Sequence, residues 1–429
     1  SRLVIADSVY APLLRAAFDI LGREIPVIDI VDDQVGATPG FGQHNYEDMI
    51  ASGDGGFVPR LPADEWQALA LNYTSGTSGK PKGVVYHHRG AYLMSMGTIA
   101  GWNVPQNPVY LSVVPMFHCN GWNHPWAMAM VGARMVFTRD AVPQKLFRAI
   151  KEEGVTHFGA APVILAMLAD SEDAPDAPFS PPLKVFTAGA PPPPAVLAKT
   201  RALGFEVMQV YGLTETYGHV SQCLWREEWE DLSPAEQAEM QAMQGVGFPM
   251  VEGFSVVDRA TGEEVPKDGE TQGEIAIRGN VVMKGYYKDP TATSAAFENG
   301  QFWSGDGAVV HANSYVQIKD RLKDVIISGG ENISSVEVEN ALHHHPAIAA
   351  VAVVAMPHPK WGESPCAFVE LRSDVSADEA GIIAFCKERL AGFKVPKAVV
   401  FGDLPKTATG KIQKFLLRER AREMGKDKT

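Results

Sequence analysis

The sequence predicts an α/β protein in which a large N-terminal region with parallel sheets precedes a small α+β C-terminal domain. The first observation is a regular alternation of strand-like and helix-like segments from residue 133 to residue 212, which is typical of a parallel sheet with crossover helices. The second is a turn-rich stretch, residues 246–320, whose short apolar segments predict a β-rich subdomain. The third is a change of composition after residue 320, where strands and helices begin again.

The first part of the chain predicts a few strands and helices separated by loops. Residues 36–62 are rich in glycine, proline and aspartate and predict a loop. The predicted strands are Leu3–Ala6, Pro26–Ile30, Trp66–Tyr73 and Val109–Val114, and the predicted helices are Val9–Leu21 and Gly90–Gly101.

In the alternating region, ligands are expected beyond the carboxyl ends of the strands. The turns Thr187–Pro191 and Tyr211–Glu215 follow two of these strands and are therefore candidate binding turns. The charged segment 225–244 predicts an exposed helix. The predicted strands are Ala133–Thr138, Thr156–Gly159, Lys184–Thr187 and Glu206–Val210, and the predicted helices are Pro143–Glu153, Pro162–Ala169 and Pro194–Leu203.

The C-terminal segment predicts a small α+β domain. Ser334 with Glu337, and Ser376 with Glu379, resemble capping boxes that open its two helices. The predicted strands are Asp324–Ile327, Ala349–Ala355, Ala367–Leu371 and Ala398–Phe401, and the predicted helices are Ser335–His344 and Asp378–Leu390.

Composition and charge narrow the class of protein. The chain has 429 residues, 45% hydrophobic and 21% charged, which indicates a soluble globular protein of two or three domains. No apolar run approaches the roughly 20 residues of a membrane span, and no secretory signal is visible. Four widely spaced cysteines without a C-x-x-C pair favour a reducing cytoplasm. A net charge of −13 argues against a nucleic-acid partner. Because the whole chain is acidic, a site for an anionic ligand needs a local concentration of cationic side chains.

The stretch Tyr73–Gly83 combines glycines, hydroxyl side chains and two lysines. Glycines let backbone N–H groups approach a ligand closely, while hydroxyls and lysines add donors and positive charge. These are the properties of a polyphosphate-binding loop. It is not a Walker A loop, because only two residues separate Gly76 from Gly79, whereas that motif has four at this point.

Five further motifs follow this loop, in this order: Tyr211–Glu215, Ser304–Asp306, Asp320–Asp324, Ser328–Asn332 and Pro405–Lys411. From about residue 66 onward, the chain resembles the AMP-forming adenylating (ANL) superfamily, and within it acyl-CoA synthetases. The resemblance implies the ANL fold, with an N-terminal adenylation domain over residues 1–320 and a mobile C-terminal domain over residues 321–429. In that superfamily more chain precedes the strand at Leu3, so the first part of the adenylation domain is expected to be missing here.

The resemblance also implies roles for individual residues. Attack of a carboxylate on the α-phosphorus of ATP brings two anions together, which a lysine such as Lys411 can compensate. The resemblance assigns catalytic roles to Lys411, Glu215, Thr214 and His118. It assigns the binding of Mg²⁺, an ion that prefers hard oxygen ligands, to Glu215 and Thr74. Asp306 is expected to bind the ribose hydroxyls with Arg321 as its companion. The residues assigned to ATP and AMP are Thr74, Ser75, Gly76, Thr77, Ser78, Gly79, Lys80, Gly189, Ala190, Pro191, Tyr211, Gly212, Asp306 and Arg321.

The acyl pocket is assigned to His118, Trp122 and Gly212. A lone histidine in an apolar stretch is more often structural, but the position of His118 matches the superfamily's aromatic/His motif. The bulk of the Trp122 indole could close the floor of the acyl tunnel, which favours short acids. Cys119 has no base at a recognisable spacing and is expected to pack. The run His343–His345 predicts an exposed helix end rather than a metal site, because adjacent side chains on a helix point apart and Pro346 follows.

The predicted function is an AMP-forming acyl-CoA synthetase for short- or medium-chain carboxylates, 3-methylmercaptopropionate among the candidates. ATP, Mg²⁺ and CoA are the expected cofactor and co-substrates, and the family allows a homodimer. The resemblance places the domain hinge at Lys323 and the thiol acceptor beside Ser328, Gly329, Gly330 and Glu331. Three alternatives stay open: a ligase for longer fatty acids, an adenylation domain that loads a carrier protein, and a non-catalytic nucleotide-binding protein.

Overall fold

The computed structural model describes residues 2–32, 35, 40–74, 81–189, 192, 194–373, 375–406 and 412–426. The chain divides into two compact units, Ser1–Pro62 and Ala63–Thr429. The first unit consists of β1 (Val4–Asp7), α1 (Ala11–Leu21), β2 (Val27–Ile30), β3 (His44–Asn45) and α2 (Tyr46–Ala51). Its three strands form a parallel sheet in the order β1-β2-β3.

The predicted strand–helix–strand at the start of the chain is confirmed in this unit. The loop predicted for residues 36–62 is wrong at residues 44–51, where β3 and α2 form. The Asn45 side chain accepts a hydrogen bond from the Glu47 N–H at 2.8 Å and so caps α2. The two-residue strand β3 is defined only by its pairing with β2, which a local pattern does not encode. Residues 36–39 lie outside the described residues.

The second unit opens with a hairpin and then builds a central sheet. Among the described residues the order of this sheet is β12-β11-β10-β9-β8-β6-β7. Strands β6 to β10 run parallel to one another, β11 pairs antiparallel with β10, and β12 pairs antiparallel with β11. The elements are β4 (Ala68–Thr74), β5 (Lys82–His87), α3 (His88–Trp102), β6 (Val109–Ser112), α4 (Cys119–Trp122), α5 (His124–Met130), β7 (Arg134–Phe137), α6 (Pro143–Glu153), β8 (His157–Ala160), α7 (Pro162–Ala169), β9 (Leu183–Thr187), α8 (Pro194–Ala202), β10 (Phe205–Leu213), β11 (Gly218–Gln222), α9 (Pro234–Gln241) and β12 (Val246–Gly247).

Helix α6 shows how the sequence sets these elements. Pro143 occupies the first turn, where its missing N–H costs nothing. Leu146, Phe147 and Ile150 form one buried face. Gly154 ends the helix at φ 64°, a left-handed conformation that glycine adopts without strain. The prediction for this helix is therefore confirmed at both ends.

A mostly antiparallel subdomain follows, as the sequence predicts for residues 246–320. Its sheet has the order β14-β13-β15-β18-β17, and β19 pairs with β18. Strand β16 instead pairs with β5, in a small sheet of order β16-β5-β4. The elements are β13 (Gly253–Asp258), β14 (Glu263–Glu264), β15 (Gly273–Arg278), β16 (Gly285–Tyr286), α10 (Pro290–Ala296), β17 (Phe297–Glu298), β18 (Gln301–Val310) and β19 (Val316–Arg321).

The C-terminal elements form an α+β layer on a sheet of order β21-β20-β23-β22, with β24 beside β23. They are β20 (Ile326–Ser328), β21 (Glu331–Ile333), α11 (Ser335–His343), β22 (Ile348–His358), β23 (Gly362–Leu371), α12 (Glu379–Lys387), β24 (Ala398–Phe401) and α13 (Lys414–Lys426). The predicted α/β fold class with a small α+β C-terminal part is confirmed. The domain boundary after residue 320 lies within the second compact unit and stays a prediction.

Two predictions about helices are wrong. The Ser334 hydroxyl does cap α11 through the Glu337 N–H, but α12 is capped by Asp378 through the Gly381 N–H at 2.8 Å rather than by Ser376. Segment 225–244 is not simply an exposed helix, because Trp229 and Met243 are buried in it. The Trp229 ring lies 5.3 Å from the Tyr315 ring, a tertiary contact that charge patterning did not reveal.

Candidate functional site

Strands β4 and β5 form the base of the predicted phosphate loop. Thr74 ends β4 and pairs with Lys82, the first residue of β5. The segment therefore connects two antiparallel strands, unlike a Walker A loop, which leads into a helix. Six residues assigned to ATP from the sequence lie between these strands and outside the described residues: Ser75, Gly76, Thr77, Ser78, Gly79 and Lys80.

The Tyr211–Glu215 motif lies where β10 meets β11. The pairing register shifts between Tyr211 and Gly212, and a Cβ atom on Gly212 would lie 1.5 Å from the Gly218 carbonyl oxygen. Only glycine therefore fits at position 212. Thr214 and Glu215 form a short turn directly after β10, beyond the carboxyl end of a parallel strand as predicted.

Two tyrosine hydroxyls fix this turn. Tyr86 donates to the Thr214 carbonyl oxygen at 2.6 Å. Tyr286 donates to Oε1 of Glu215 at 2.7 Å, and the Met283 N–H donates to the Glu215 carbonyl oxygen at 2.7 Å. Glu215 is half-buried. Its carboxylate thus has one oxygen engaged by a neutral donor, and the acid chemistry fits a ligand of Mg²⁺.

Asp306 lies at the centre of a second carboxylate site, between strands β10, β18 and β19. The Tyr211 hydroxyl donates to Asp306 Oδ2 at 2.7 Å, and Arg321 Nε lies 3.1 Å from Asp306 Oδ1. The register of β18 and β19 sets Asp306 directly opposite Arg321. Burial and the neighbouring Asp306 raise the pKa of Tyr211 well above its usual value, so its hydroxyl stays a donor. The structure brings these three predicted residues together.

The turn after β9 is only partly described. Gly189 adopts φ 96°, and among the described residues beyond its chain neighbours no heavy atom lies within 4 Å of the position that its Cβ would occupy. The backbone here turns into open space at the end of a parallel strand. Ala190 and Pro191, also assigned to the nucleotide, lie outside the described residues.

The predicted acyl motif contains an unusual backbone. Residues Cys119 to Asn123 all have φ between 49° and 67°, so α4 is a left-handed turn. Such a conformation costs about 1–2 kcal/mol per residue for non-glycine residues, less for asparagine. Asn72 Nδ2 donates to Asn120 Oδ1 at 3.0 Å, and Asn123 Nδ2 donates to the Tyr217 carbonyl oxygen. These tertiary bonds offset part of the strain.

Trp122 packs from this turn onto an apolar cluster that includes Trp102 and Phe186. Gly218 lies beside it, since a Cβ there would be 3.7–3.8 Å from Trp122 atoms. His118 is half-buried and precedes the turn. Cys119 is buried, and burial raises the pKa of its thiol to about 11, which agrees with the predicted packing role rather than a nucleophile.

A layer of buried histidines lies under this motif and was not predicted. His124 Nδ1 bonds the Tyr110 hydroxyl at 2.6 Å, and His219 Nε2 bonds the Thr98 hydroxyl at 2.9 Å. The rings of His124 and His219 are 5.7 Å apart. Burial lowers the pKa of His219 to about 3 and that of His124 well below its usual value, so both are neutral.

In the C-terminal part, Gly329 and Gly330 form a two-residue turn between β20 and β21. Their φ values are 62° and 91°, and Ser328 pairs with Glu331, which is the geometry of a tight hairpin. Lys323 lies in an exposed turn directly after β19. The residue predicted as the hinge and the segment predicted to lie beside the thiol acceptor therefore belong to two separate turns.

The catalytic lysine predicted at Lys411 lies outside the described residues, but the chain on both sides of residues 407–411 is described. Lys406 pairs with Ile412 in an isolated bridge, and Lys406 Nζ bonds both oxygens of Glu370 at 2.7 and 2.9 Å. On the other side, Nζ of the mostly buried Lys414 lies 2.7 Å from Glu339 Oε1. Ion pairs thus hold both flanks of this segment.

Among the described residues, no group of three or more His, Cys, Asp or Glu side chains could bind a metal ion by itself. One carboxylate, Glu215, fits a Mg²⁺ ion that arrives with a nucleotide, because Mg²⁺ usually takes one or two protein carboxylates together with phosphate oxygens and water.

Comparison with known proteins identifies the family. The chain matches the AMP-binding enzyme family over residues 4–287 and the AMP-binding enzyme C-terminal domain over residues 337–411. The chain belongs to the AMP-binding enzyme family. The acetate/butyrate–CoA ligase AAE7 of Arabidopsis thaliana, peroxisomal by name, is 51% identical to it over 391 residues, which are 90% of this chain and 68% of that protein.

Two further matches support the same assignment. The acetate–CoA ligase CCL3 of Humulus lupulus is 46% identical over 441 residues, covering 98% of this chain and 78% of that protein. The crystal structure of ATP-bound MatB from Rhodopseudomonas palustris superimposes with a TM-score of 0.83 at 25% identity, covering 99% of this chain and 80% of that one.

The family member described here is an AMP-forming acyl-CoA synthetase of the short- and medium-chain type, with ATP, Mg²⁺ and CoA as its usual requirements. The enzyme class predicted from the motifs is thereby confirmed, while the acid itself is not identified. No helix among the described residues has the length and apolar character of a membrane span.

Sequence reasoning missed Tyr86 and Tyr286, the two tyrosines that hold the Thr214–Glu215 turn. The available signal was weak. Tyr286 belongs to the segment Gly285–Pro290, in which two aromatic residues precede an Asp-Pro helix start. That pattern predicts a turn and a helix, but it does not indicate which distant carboxylate the tyrosine contacts.

Proposed function

We propose that this ligase activates short saturated carboxylates, in the range from acetate to butyrate. The observation that carries the proposal is the position of Trp122, whose indole packs onto the apolar cluster under the acyl motif, next to Gly218. If the acyl group binds beside this turn, the indole would occupy the space that a longer acyl chain needs. The names of the two curated relatives, which refer to acetate and butyrate, support the same range.

The first half-reaction joins the carboxylate to AMP. A carboxylate oxygen attacks the α-phosphorus of ATP, the bond to the β-phosphate oxygen breaks, and pyrophosphate leaves. Tyr211, Asp306 and Arg321 form a polar site suited to the ribose hydroxyls. Thr74 to Lys80 and Lys411 supply donors and positive charge for the phosphates. Glu215 and Thr74 would hold Mg²⁺, which neutralises phosphate charge when bound.

The second half-reaction transfers the acyl group to CoA. The thiol sulfur attacks the acyl carbon of the adenylate, AMP leaves, and the thiol proton is released. We propose that residues 321–429 turn about Lys323 between the two steps, because this exposed turn is a connection whose φ and ψ angles can change. The tight turn at Gly329 and Gly330 would then face the thiol.

The test is a comparison of acids. Carboxylate-dependent ATP–pyrophosphate exchange and CoA-dependent AMP release are measured for straight-chain acids from C2 to C10, for 3-methylmercaptopropionate and for benzoate. The largest kcat/KM is expected between C2 and C4. CoA-dependent release of AMP separates a ligase from a carrier-loading enzyme. An optimum at C8 or longer would contradict the proposal and restore the fatty-acid alternative.

Trp122→Ala tests the observation itself. The substitution should open space for further methylenes, each worth about 0.8 kcal/mol on burial, so kcat/KM should rise several-fold per carbon for longer acids. Short acids should lose activity, because their ends would face a void. The KM for ATP serves as the control. A uniform fall without a shifted optimum would leave Trp122 as a core residue only.

We also propose that the protein works in a reducing compartment, the cytoplasm as the sequence predicts. All four cysteines are buried and free. Microscopy of a full-length fluorescent fusion tests this proposal. A signal that coincides with a peroxisomal marker would contradict the cytoplasmic location and match the name of the Arabidopsis relative.

A further inference from the structure

The segment Met283–Tyr287 connects two parts of the nucleotide site that are far apart in sequence. At one end, the Met283 N–H donates to the Glu215 carbonyl oxygen at 2.7 Å. At the other end, the Tyr287 N–H donates to the Gly83 carbonyl oxygen at 2.7 Å. Between these bonds, β16 pairs with β5, the strand that begins directly after the predicted phosphate loop. The Glu215 turn and the base of that loop therefore share one backbone connection.

Tyr286 occupies the middle of this connection. Its hydroxyl donates to Glu215 Oε1 at 2.7 Å, and its ring packs against the buried core cluster that contains Val84 and Tyr217. The ammonium group of Lys82 lies 4.7 Å from the centre of the same ring. The phenolic hydroxyl of Tyr286 is an uncharged donor.

A neutral donor is suited to orienting a metal ligand. It fixes one carboxylate oxygen and leaves the negative charge in place, so the other oxygen can still bind a cation. A lysine or arginine at this position would neutralise the carboxylate and compete with the metal. An unfixed glutamate would lose its rotamer freedom only on binding, which costs up to about 2 kcal/mol. Groups that orient metal ligands typically change metal affinity or activity by about 10–100-fold.

We propose that Tyr286 is a positioning residue that orients Glu215 for the Mg²⁺ ion of Mg·ATP, and that its contact with Lys82 couples this orientation to the base of the phosphate loop. The proposal rests on the proposed role of Glu215 as the metal ligand. The Tyr286 hydroxyl contacts Glu215 and is not assigned a contact with the reacting atoms. It acts through Glu215, so its effect is expected in metal-dependent nucleotide binding before it appears in the rate.

The experiment measures ATP binding by calorimetry for the wild type and Tyr286→Phe, once with Mg²⁺ and once with excess EDTA. Phenylalanine keeps the ring, its packing and its contact with Lys82, and it removes only the hydroxyl. The Kd for Mg·ATP should rise about 10–100-fold, while the Kd for metal-free ATP should stay within twofold. Tyr287→Phe is the matched control: this neighbouring side chain is half exposed, and the variant should behave as the wild type.

A second pair of variants separates the inference from the proposal beneath it. Glu215→Gln and the double variant Glu215→Gln with Tyr286→Phe are titrated in the same way. If Tyr286 acts through Glu215, the double variant should bind Mg·ATP no more weakly than Glu215→Gln alone. If Glu215→Gln leaves the Mg²⁺ dependence unchanged, the metal role of Glu215 is wrong. If Glu215→Gln abolishes it but Tyr286→Phe has no effect, or weakens ATP binding equally with and without Mg²⁺, the positioning role alone is wrong.

Discussion

The Glu215 carboxylate of the proposed nucleotide site accepts a hydrogen bond from a tyrosine, whereas lysine–carboxylate pairs hold the chain on both sides of residues 407–411. A tyrosine hydroxyl orients a carboxylate without removing its charge, which suits a group that must still bind a cation or a diol. An ion pair cancels both charges and fixes the backbone that carries them. The first arrangement therefore serves binding, and the second serves the placement of a segment.

The comparison predicts that breaking an ion pair costs stability. Glu339→Gln removes the nearest carboxylate from the mostly buried Lys414 ammonium, which keeps its bond to Ser335 and the nearby charges of Asp320 and Asp324. The free energy of unfolding should therefore fall by about 3 kcal/mol, the low end of the range for a broken buried pair. Denaturation in urea measures this loss. The double variant Glu339→Leu with Lys414→Met should recover much of it. Asp170→Asn breaks an exposed pair with Lys199 and should cost at most about 1 kcal/mol. Equal losses at the two pairs would contradict the comparison.

The next prediction concerns the segment between these ion pairs. Lys411→Ala should reduce acyl-adenylate formation by about 10²–10³-fold, because one charge partner of the transition state is lost. Thioester formation from supplied acyl-AMP should be nearly unchanged. Lys406→Ala removes only the bond to Glu370 and provides the control for a general disturbance of this region. Near wild-type adenylation by Lys411→Ala would refute the assignment.

On the nucleotide side, Tyr211→Phe should weaken AMP binding without unfolding the protein. A hydrogen bond to a charged group contributes about 1.5–3 kcal/mol, so an increase in Kd of roughly 10–100-fold is expected. Tyr315→Phe removes a comparable hydroxyl bond to the Leu224 carbonyl, remote from Asp306, and should not change the Kd. If both variants bind AMP equally weakly, the effect is one of folding rather than of the ribose site.

The last prediction tests a third arrangement, the neutral histidines beneath the acyl motif. Burial lowers the pKa of His219 to about 3, below the roughly 6.5 of an unfolded chain. Its contribution to stability is therefore complete above pH 6.5 and is lost as the pH falls toward 3, by about 1.4 kcal/mol per pH unit. Between pH 4 and 7, the free energy of unfolding should change less steeply with pH in His219→Gln than in the wild type, by about 1.4 kcal/mol per pH unit below pH 6.5. The exposed His344→Gln variant is the control, and an equal slope in all three proteins would contradict the prediction.

Much of the fold could be predicted, and the candidate site residues could be assigned, because the signals used are local. The alternation of strands and helices predicted helix α6 at both ends. The motifs are contiguous, so Gly212, Glu215 and Asp306 could be assigned from neighbouring residues alone. The short elements β3 and α2 could not be predicted, because two-residue pairing and a single capping side chain leave almost no pattern.

The sequence by itself determined the enzyme family and the fold class, because backbone periodicity and contiguous motifs carry this information. Tertiary structure alone decided that Tyr286 holds Glu215, 71 positions away, and that Lys414 pairs with Glu339. It also decided the left-handed turn at Cys119–Asn123, which distant partners such as Asn72 stabilise. Each of these features depends on groups that meet only after the chain has folded, and no local pattern encodes such a meeting.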